Sequence, residues 1–200
     1  MSNTSKRLRG FLFLASLVAL ASASVAAHAA PMKLGRVTSQ PIGHYEFCQQ
    51  VPEECRRIGN PGGADRLTHR NWRKLVEINS RINRTIAPRT DREMWGVEEL
   101  WSYPVDFGDC EDYVLLKRHE LVQAGFHPAN LLITVVMQPN GEGHAVLTVR
   151  TDHGDFVLDN LVGEVLDWRD TRYRYLKRQS SAHAGKWVSI IDERTIVASR

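Results

Sequence analysis

No hydrophobic run in the 200 residues is long enough to span a bilayer. The longest, Phe11 to Ala21, has eleven residues and is interrupted by Ser16, against the ~20 that a permanent spanning helix needs. Internal repeats and low-complexity tracts are also missing. The hydrophobic fraction of 42% and charged fraction of 24% are those of an ordinary globular chain. A disordered chain, a collagen-like repeat and a multi-span membrane protein are thereby excluded. Surplus charge is absent outside the first 29 residues: the formal +3 is supplied by Lys6, Arg7 and Arg9, with no acid beside them. No basic stripe with interleaved aromatics remains, so nothing argues for a nucleic-acid partner. Cysteine is scarce and odd in number, with three in all.

What the N-terminus does have is a three-part leader. Lys6, Arg7 and Arg9 form a positive region, the apolar run follows, and Ala27-His28-Ala29 offers a small-x-small cleavage site. This is the pattern of a secretory signal peptide over residues 1–29. No lipobox-type cysteine follows it. The expected mature domain is 30–200, about 170 residues with one core, periplasmic or secreted and not inserted in the membrane.

Export sets the reading of the cysteines. Cys48 and Cys55 are close neighbours and natural disulfide partners in an oxidising compartment. Their short loop is worth about 2.5 kcal/mol in chain entropy. Cys110 is left over, either a buried inert thiol or a reactive one.

Residues 30–65, rich in Pro, Gly and polar side chains, read as an irregular segment. Leu75, Ile78, Ile82 and Ile86 recur at helical spacing and predict a helix over 68–86, with Pro88 beyond its end. Residues 91–101 read as a short helix or turn with exposed acids. A second helix is expected from Asp109 to Ala124, stopped by Gly125. Beyond it the period changes to that of strands: 131–137, 144–150, 156–159, 173–177 and 187–191. Turn chemistry at 139–143 and 151–154 joins the first three as hairpins. The run Tyr173-Arg174-Tyr175 reads as a half-exposed strand. Helices first and an antiparallel sheet after them make an α+β domain.

Cys110 falls at the start of the second helix. Unpaired N–H groups and the positive dipole end favour a thiolate there, and the same amides suit an oxyanion. A thiolate nucleophile needs a proton-transfer partner, usually histidine. Outside the leader there are His44, His69, His119, His127, His144, His153 and His183. Of these, His144 stands on a strand directly after a Gly-rich turn. If strands 144–150 and 155–161 pair through the turn at 151–154, residue 150 faces 155 and Asp159 faces Val146. Asp159 is then the diagonal same-face neighbour of His144, at roughly 7–8 Å between backbones. A slip of one residue would move it to the other face.

Gly108-Asp109-Cys110-Glu111-Asp112-Tyr113, Gly143-His144-Ala145-Val146-Leu147 and Phe156-Val157-Leu158-Asp159-Asn160 together resemble the bacterial transglutaminase-like cysteine proteinases, whose periplasmic branch is the LapG-type proteases. The resemblance implies a transglutaminase-like, papain-like fold. It implies Cys110 as nucleophile, His144 as base and acid, and Asp159 as the residue that orients the imidazole. It also implies cleavage of the N-terminal region of a large cell-surface adhesin, controlling biofilm attachment, and an inner-membrane cyclic-di-GMP receptor that sequesters the protease.

Asp109, Glu111 and Asp112 crowd the thiol with negative charge and would raise its pKa. A hard divalent cation, Ca²⁺ in an extracytoplasmic compartment, would cancel that charge. The LapG-type family is similar in this respect. The simpler reading is that the acids cap a helix N-terminus. The spacing is not that of an EF-hand. Trp95, Trp101 and Tyr103 precede the nucleophile and suit either a substrate groove, a partner patch centred on Trp95, or plain packing. The rival functions are a cell-wall peptide amidase or endopeptidase, a true transglutaminase, and a catalytically idle calcium-binding module.

Overall fold

A computed structural model describes residues 30–59 and 62–194. The leader expected over 1–29 lies outside the described residues. Among those described, no helix is long and apolar enough to cross a membrane.

In chain order the elements are β1 (Leu34–Thr38), α1 (Ile42–Gln50), α2 (His69–Thr85), β2 (Ala87–Pro88), α3 (Asp91–Trp95), β3 (Phe107–Gly108), α4 (Cys110–Gln123), β4 (Leu131–Met137), β5 (Gly143–Thr151), β6 (Gly154–Leu158), β7 (Leu166–Asp167), β8 (Arg174–Ser180) and β9 (His183–Ile190). Seven strands form one sheet in the order β1-β9-β8-β4-β5-β6-β7, and every pairing in it is antiparallel. Helices α2 and α4 pack on each other, and α4 lies on β5. The architecture is α+β, as the order of periods implied.

Local chemistry explains the two long helices. Thr68 caps α2 by accepting from Asn71 N, and the stripe Leu75, Ile78, Ile82 is buried. Helix α4 ends at Ala124, and Gly125 follows at φ +97°, a left-handed position natural to glycine after a helix. The core between helices and sheet includes Leu75, Ile82, Leu115, Leu121, Leu131, Leu147 and Leu158. A smaller cluster of Val136, Val146, Val157, Trp168, Tyr173 and Tyr175 covers the other face.

Two expectations are corrected. The segment 30–65 is not irregular throughout: it supplies β1, paired with β9, and α1. Helix α1 has no side-chain cap and is set by tertiary packing. Buried His44 stacks edge-on to Trp101 and Trp187. Its ring is held well below the usual histidine range, at about 4, by burial and then by Arg118. Secondly, Asp91 is not an exposed acid but is 1% exposed. The expected half-exposed strand is present: Tyr173 and Tyr175 are buried against the second cluster and Arg174 between them is exposed.

Cys48 and Cys55 are bridged. Glu54 inside that loop pairs with Arg118 of α4 at 2.6 Å and accepts from Tyr103 OH at 2.9 Å. The disulfide loop is thereby fastened to the long helix. Separate Cys48→Ser and Cys55→Ser variants are each expected to lose about 2.5 kcal/mol of stability in urea melts. Alkylation of unreduced protein should give one adduct, on Cys110. Adducts on all three thiols would contradict the bridge.

Lys117 of α4 is fully buried, and its Nζ has no hydrogen-bond partner among the described residues. Burial lowers it from 10.5 to about 7, with Asp159 pulling the other way. An unfolded lysine keeps the higher value. The destabilisation is therefore complete below about pH 7 and fades as pH rises from there towards 10.5. Lys117→Met conserves volume and should stabilise the domain by about 1–4 kcal/mol. The gain in melting temperature should be larger at pH 6 than at pH 9; an equal gain at both would show the ammonium is not the cause.

Candidate active site

The chain reaches Cys110 through a short parallel ladder. Ala87 pairs with Phe107 and Pro88 with Gly108, and Arg89 N donates to Gly108 O at 3.0 Å. Gly108 has no room for a side chain: a Cβ there would sit 2.8 Å from Asp112 Cβ. Asp109 follows as the N-cap residue of α4 in extended conformation, with no side-chain cap bond. Cys110 is thus the first residue of the helix, half-buried and the free cysteine. It opens into a cleft of about 390 Å³ lined also by Ile42, Trp101, Val135, His144 and Lys177.

His144 comes from the start of β5, and its place relative to Asp159 is fixed by strand register. Thr151 pairs with Gly154, Arg150 with Asp155 and Leu147 with Leu158. Continuing that ladder sets Asp159, one residue beyond β6, opposite Val146. From there His144 Nε2 and Asp159 Oδ1 meet at 2.8 Å. Both side chains are almost fully buried. Burial alone would raise the Asp159 carboxyl. Hydrogen bonds from His144, Tyr173 and the Leu161 amide outweigh it and hold the group below the usual carboxylate range. An ionised carboxylate only accepts, so Nε2 carries the proton and Nδ1 is the basic nitrogen of the neutral ring. Asn83 of α2 donates to Asp159 O at 2.7 Å, and Asn79 donates to Gly163 O at 2.9 Å. The first long helix therefore holds the loop that carries the acid.

The thiol is not in the state that a helix N-terminus alone would give. Burial pushes Cys110 well above the usual thiol range, and the Glu111 carboxyl adds to this. Sγ donates to Glu111 Oε2 at 3.1 Å. The Ala145 amide acts in the opposite sense by bonding to the sulfur. Desolvation, and after it the adjacent carboxylates, act against the helix dipole here.

The acids also rearrange relative to the sequence expectation. The group whose carboxylate oxygens lie within 4.8 Å of one another is Asp91, Asp109 and Glu111. Asp112 is displaced from that group: its Oδ1 accepts from Ser102 N at 2.8 Å. Asp91 joins because the β2–β3 ladder lays residues 87–91 along 107–109, and Asp91 N donates to Asp109 Oδ2 at 3.3 Å. No linear motif announces this partner, which lies 18 residues away. Three buried oxygens in the neighbourhood, Asp91 Oδ1, Asp109 Oδ1 and Asp112 Oδ2, have no hydrogen-bond partner among the described residues. All four carboxyls are raised, first by burial; Asp112 reaches about 7. Unpaired hard oxygens packed around uncompensated negative charge are the donor set that a divalent cation such as Ca²⁺ takes. The residues therefore fit such an ion.

Of the three aromatics before the nucleophile, Trp101 is buried and Trp95 is 59% exposed. Trp95 lines a separate cleft of about 490 Å³ with Met94, Pro104, Val105 and Phe107. Tyr103, bonded to Glu54, packs on Phe47 and His119.

Comparison with known proteins agrees with this fold. Legionella pneumophila LapG is similar in structure, with a TM-score of 0.51 and 24% identity over 63% of this chain and 73% of that chain. Its calcium-bound form gives a TM-score of 0.50 and 20% identity over 75% and 81%. An EGTA-treated form gives 0.50 and 23% over 63% and 74%. At these identities the likeness establishes the fold. No curated protein matches the sequence. The family model of the bacterial transglutaminase-like cysteine proteinases matches residues 34–195. This span takes in nearly all of the described chain, and the protein belongs to that family of cysteine peptidases.

Proposed function

We propose that the protein is an exported, calcium-dependent cysteine protease in which Cys110 is the nucleophile, His144 the base and acid, and Asp159 the orienting carboxylate. The observation that carries this reading is the buried His144–Asp159 hydrogen bond of 2.8 Å, formed beside a free thiol at a helix start. His144 Nδ1 accepts the thiol proton, and Sγ attacks the scissile carbonyl. The imidazolium, held by ionised Asp159, then protonates the leaving amine. Amides at the uncapped start of α4 receive the oxyanion. Water hydrolyses the thioester and restores the thiol.

Asp91, Asp109 and Glu111 would hold the cation, with Asp112 close by. When bound, the ion supplies positive charge beside the sulfur and offsets the carboxylates. The LapG structure in its calcium-bound form supports the choice of Ca²⁺. The family resemblance supports the rest of the reading: a periplasmic location after removal of residues 1–29, and a large surface adhesin cut in its N-terminal region. An inner-membrane cyclic-di-GMP receptor then takes up the protease, with exposed Trp95 as a docking contact.

Cys110→Ala is expected to abolish cleavage of N-terminal adhesin fragments, by roughly 10⁴-fold or more, with an unchanged melting curve. His144→Ala should do the same, and Asp159→Asn should lose less. Cleavage by Cys110→Ala at near the wild-type rate would remove the nucleophile assignment.

Calorimetry should detect Ca²⁺ binding. EGTA should lower both activity and melting temperature, and added Ca²⁺ should restore them. At a hundredfold excess over Kd the ion stabilises the fold by about 2.7 kcal/mol. Asp91→Ala, Asp109→Ala or Glu111→Ala should mimic EGTA and abolish the rescue. No detectable binding, with activity indifferent to EGTA, would leave the acids as helix-capping groups.

A further inference from the structure

Both oxygens of Asp159 are committed. Oδ1 accepts from His144 Nε2 at 2.8 Å and from the Leu161 amide at 3.0 Å. Oδ2 accepts from the phenol of Tyr173. Tyr173 lies just ahead of β8 and is 9% exposed. Its ring centroid is 5.5 Å from that of His144, at an interplanar angle of 54°. One side chain therefore touches both members of the pair, hydroxyl to carboxylate and ring to imidazole.

Other ionisable groups face Asp159 without taking this place. Lys117 approaches from α4, but its Nζ has no hydrogen-bond partner among the described residues. Tyr175 on β8 also feels the carboxylate, yet its hydroxyl is bonded to Thr171 at 3.0 Å. Cys110 is close enough to influence Tyr173. The second oxygen of a buried carboxylate needs a donor, because leaving it unsatisfied carries its full desolvation cost. With that donor missing, the carboxylate is held through Oδ1 alone, by His144 Nε2 and the Leu161 amide, and its orientation is less firmly fixed.

We propose that Tyr173 is a positioning residue of the active site, locking the Asp159 carboxylate through Oδ2 and backing the His144 ring, so that one fixed oxygen holds Nε2. This rests on the Cys110–His144–Asp159 reading above. Its role is carried through Asp159, and it makes no contact with substrate in the reaction.

The test uses the full exported chain with Ca²⁺ present and needs no substrate. The rate of Cys110 alkylation by iodoacetamide at one fixed pH reports nucleophile activation. The downfield Nε2 proton of ¹⁵N-histidine-labelled protein reports the His144–Asp159 bond. Tyr173→Phe removes only the hydroxyl. It should slow alkylation roughly tenfold, the scale of one hydrogen bond to a charged group, and shift or broaden the proton signal. In an Asp159→Asn background the same change should add nothing, because coupled residues do not act additively. Thermal melts of all variants confirm that folded protein is compared. If Tyr173→Phe matches wild type in rate and resonance, or slows the Asp159→Asn protein by the same factor as wild type, the positioning role is overturned while the triad stands. If wild-type Cys110 reacts no faster than Cys110 in His144→Ala, the triad reading fails and takes the proposal with it.

Discussion

The register of β5 on β6 is the constraint on which the rest of the site depends. Strand side chains alternate faces, so moving Arg150 away from Asp155 by one residue would turn Asp159 from His144 to the opposite side. The two-residue turn between Thr151 and Gly154 leaves little freedom for such a slip. Hydrophobic pairing of Leu147 with Leu158 enforces it from the core side. A short polar turn thus determines whether His144 meets Asp159.

Around that fixed pair the site is held in electrostatic tension. One carboxylate, Asp159, is satisfied by three donors and stays ionised. Four others gather at the start of α4 with too few donors and are driven towards protonation. The thiol is suppressed first by its own burial and then by the Glu111 carboxyl of the second group. The same side-chain chemistry therefore produces opposite results, and hydrogen-bond supply decides which. Such separation of carboxyl environments is typical of functional sites.

Much of this was legible in the sequence, because it follows local rules. Helices α2 and α4 announce themselves by apolar spacing and by Thr68 and Gly125 at their ends. The hairpin β5–β6 is written in Asp152, His153 and Gly154, and the alternation on either side sets the register. What escaped depends on contacts between distant segments. Strand β1 and helix α1 carry little periodicity, and they form because β9, Trp101 and Trp187 give them a surface. Asp91 reads as a surface acid until a two-residue ladder lays it beside Asp109. Tyr173 reads correctly as part of a half-exposed strand, but its bond to Asp159, 14 residues earlier, has no local signal. Lys117 is the sharpest case, since a lysine in a helical pattern marks the solvent side almost everywhere else.

The outermost pairing of the sheet joins the beginning of the described chain to its end. Ser189 of β9 donates to the Arg36 carbonyl of β1, 153 residues earlier. A contact of such separation closes a loop of most of the described chain, and non-local strand pairs of this kind form slowly. Until it forms, β9 is an open edge with unpaired backbone groups, a template for another chain. The domain is therefore most vulnerable to mispairing late in folding. Joining the ends of β9 and β1 by a short linker would convert that slow closure into a local hairpin.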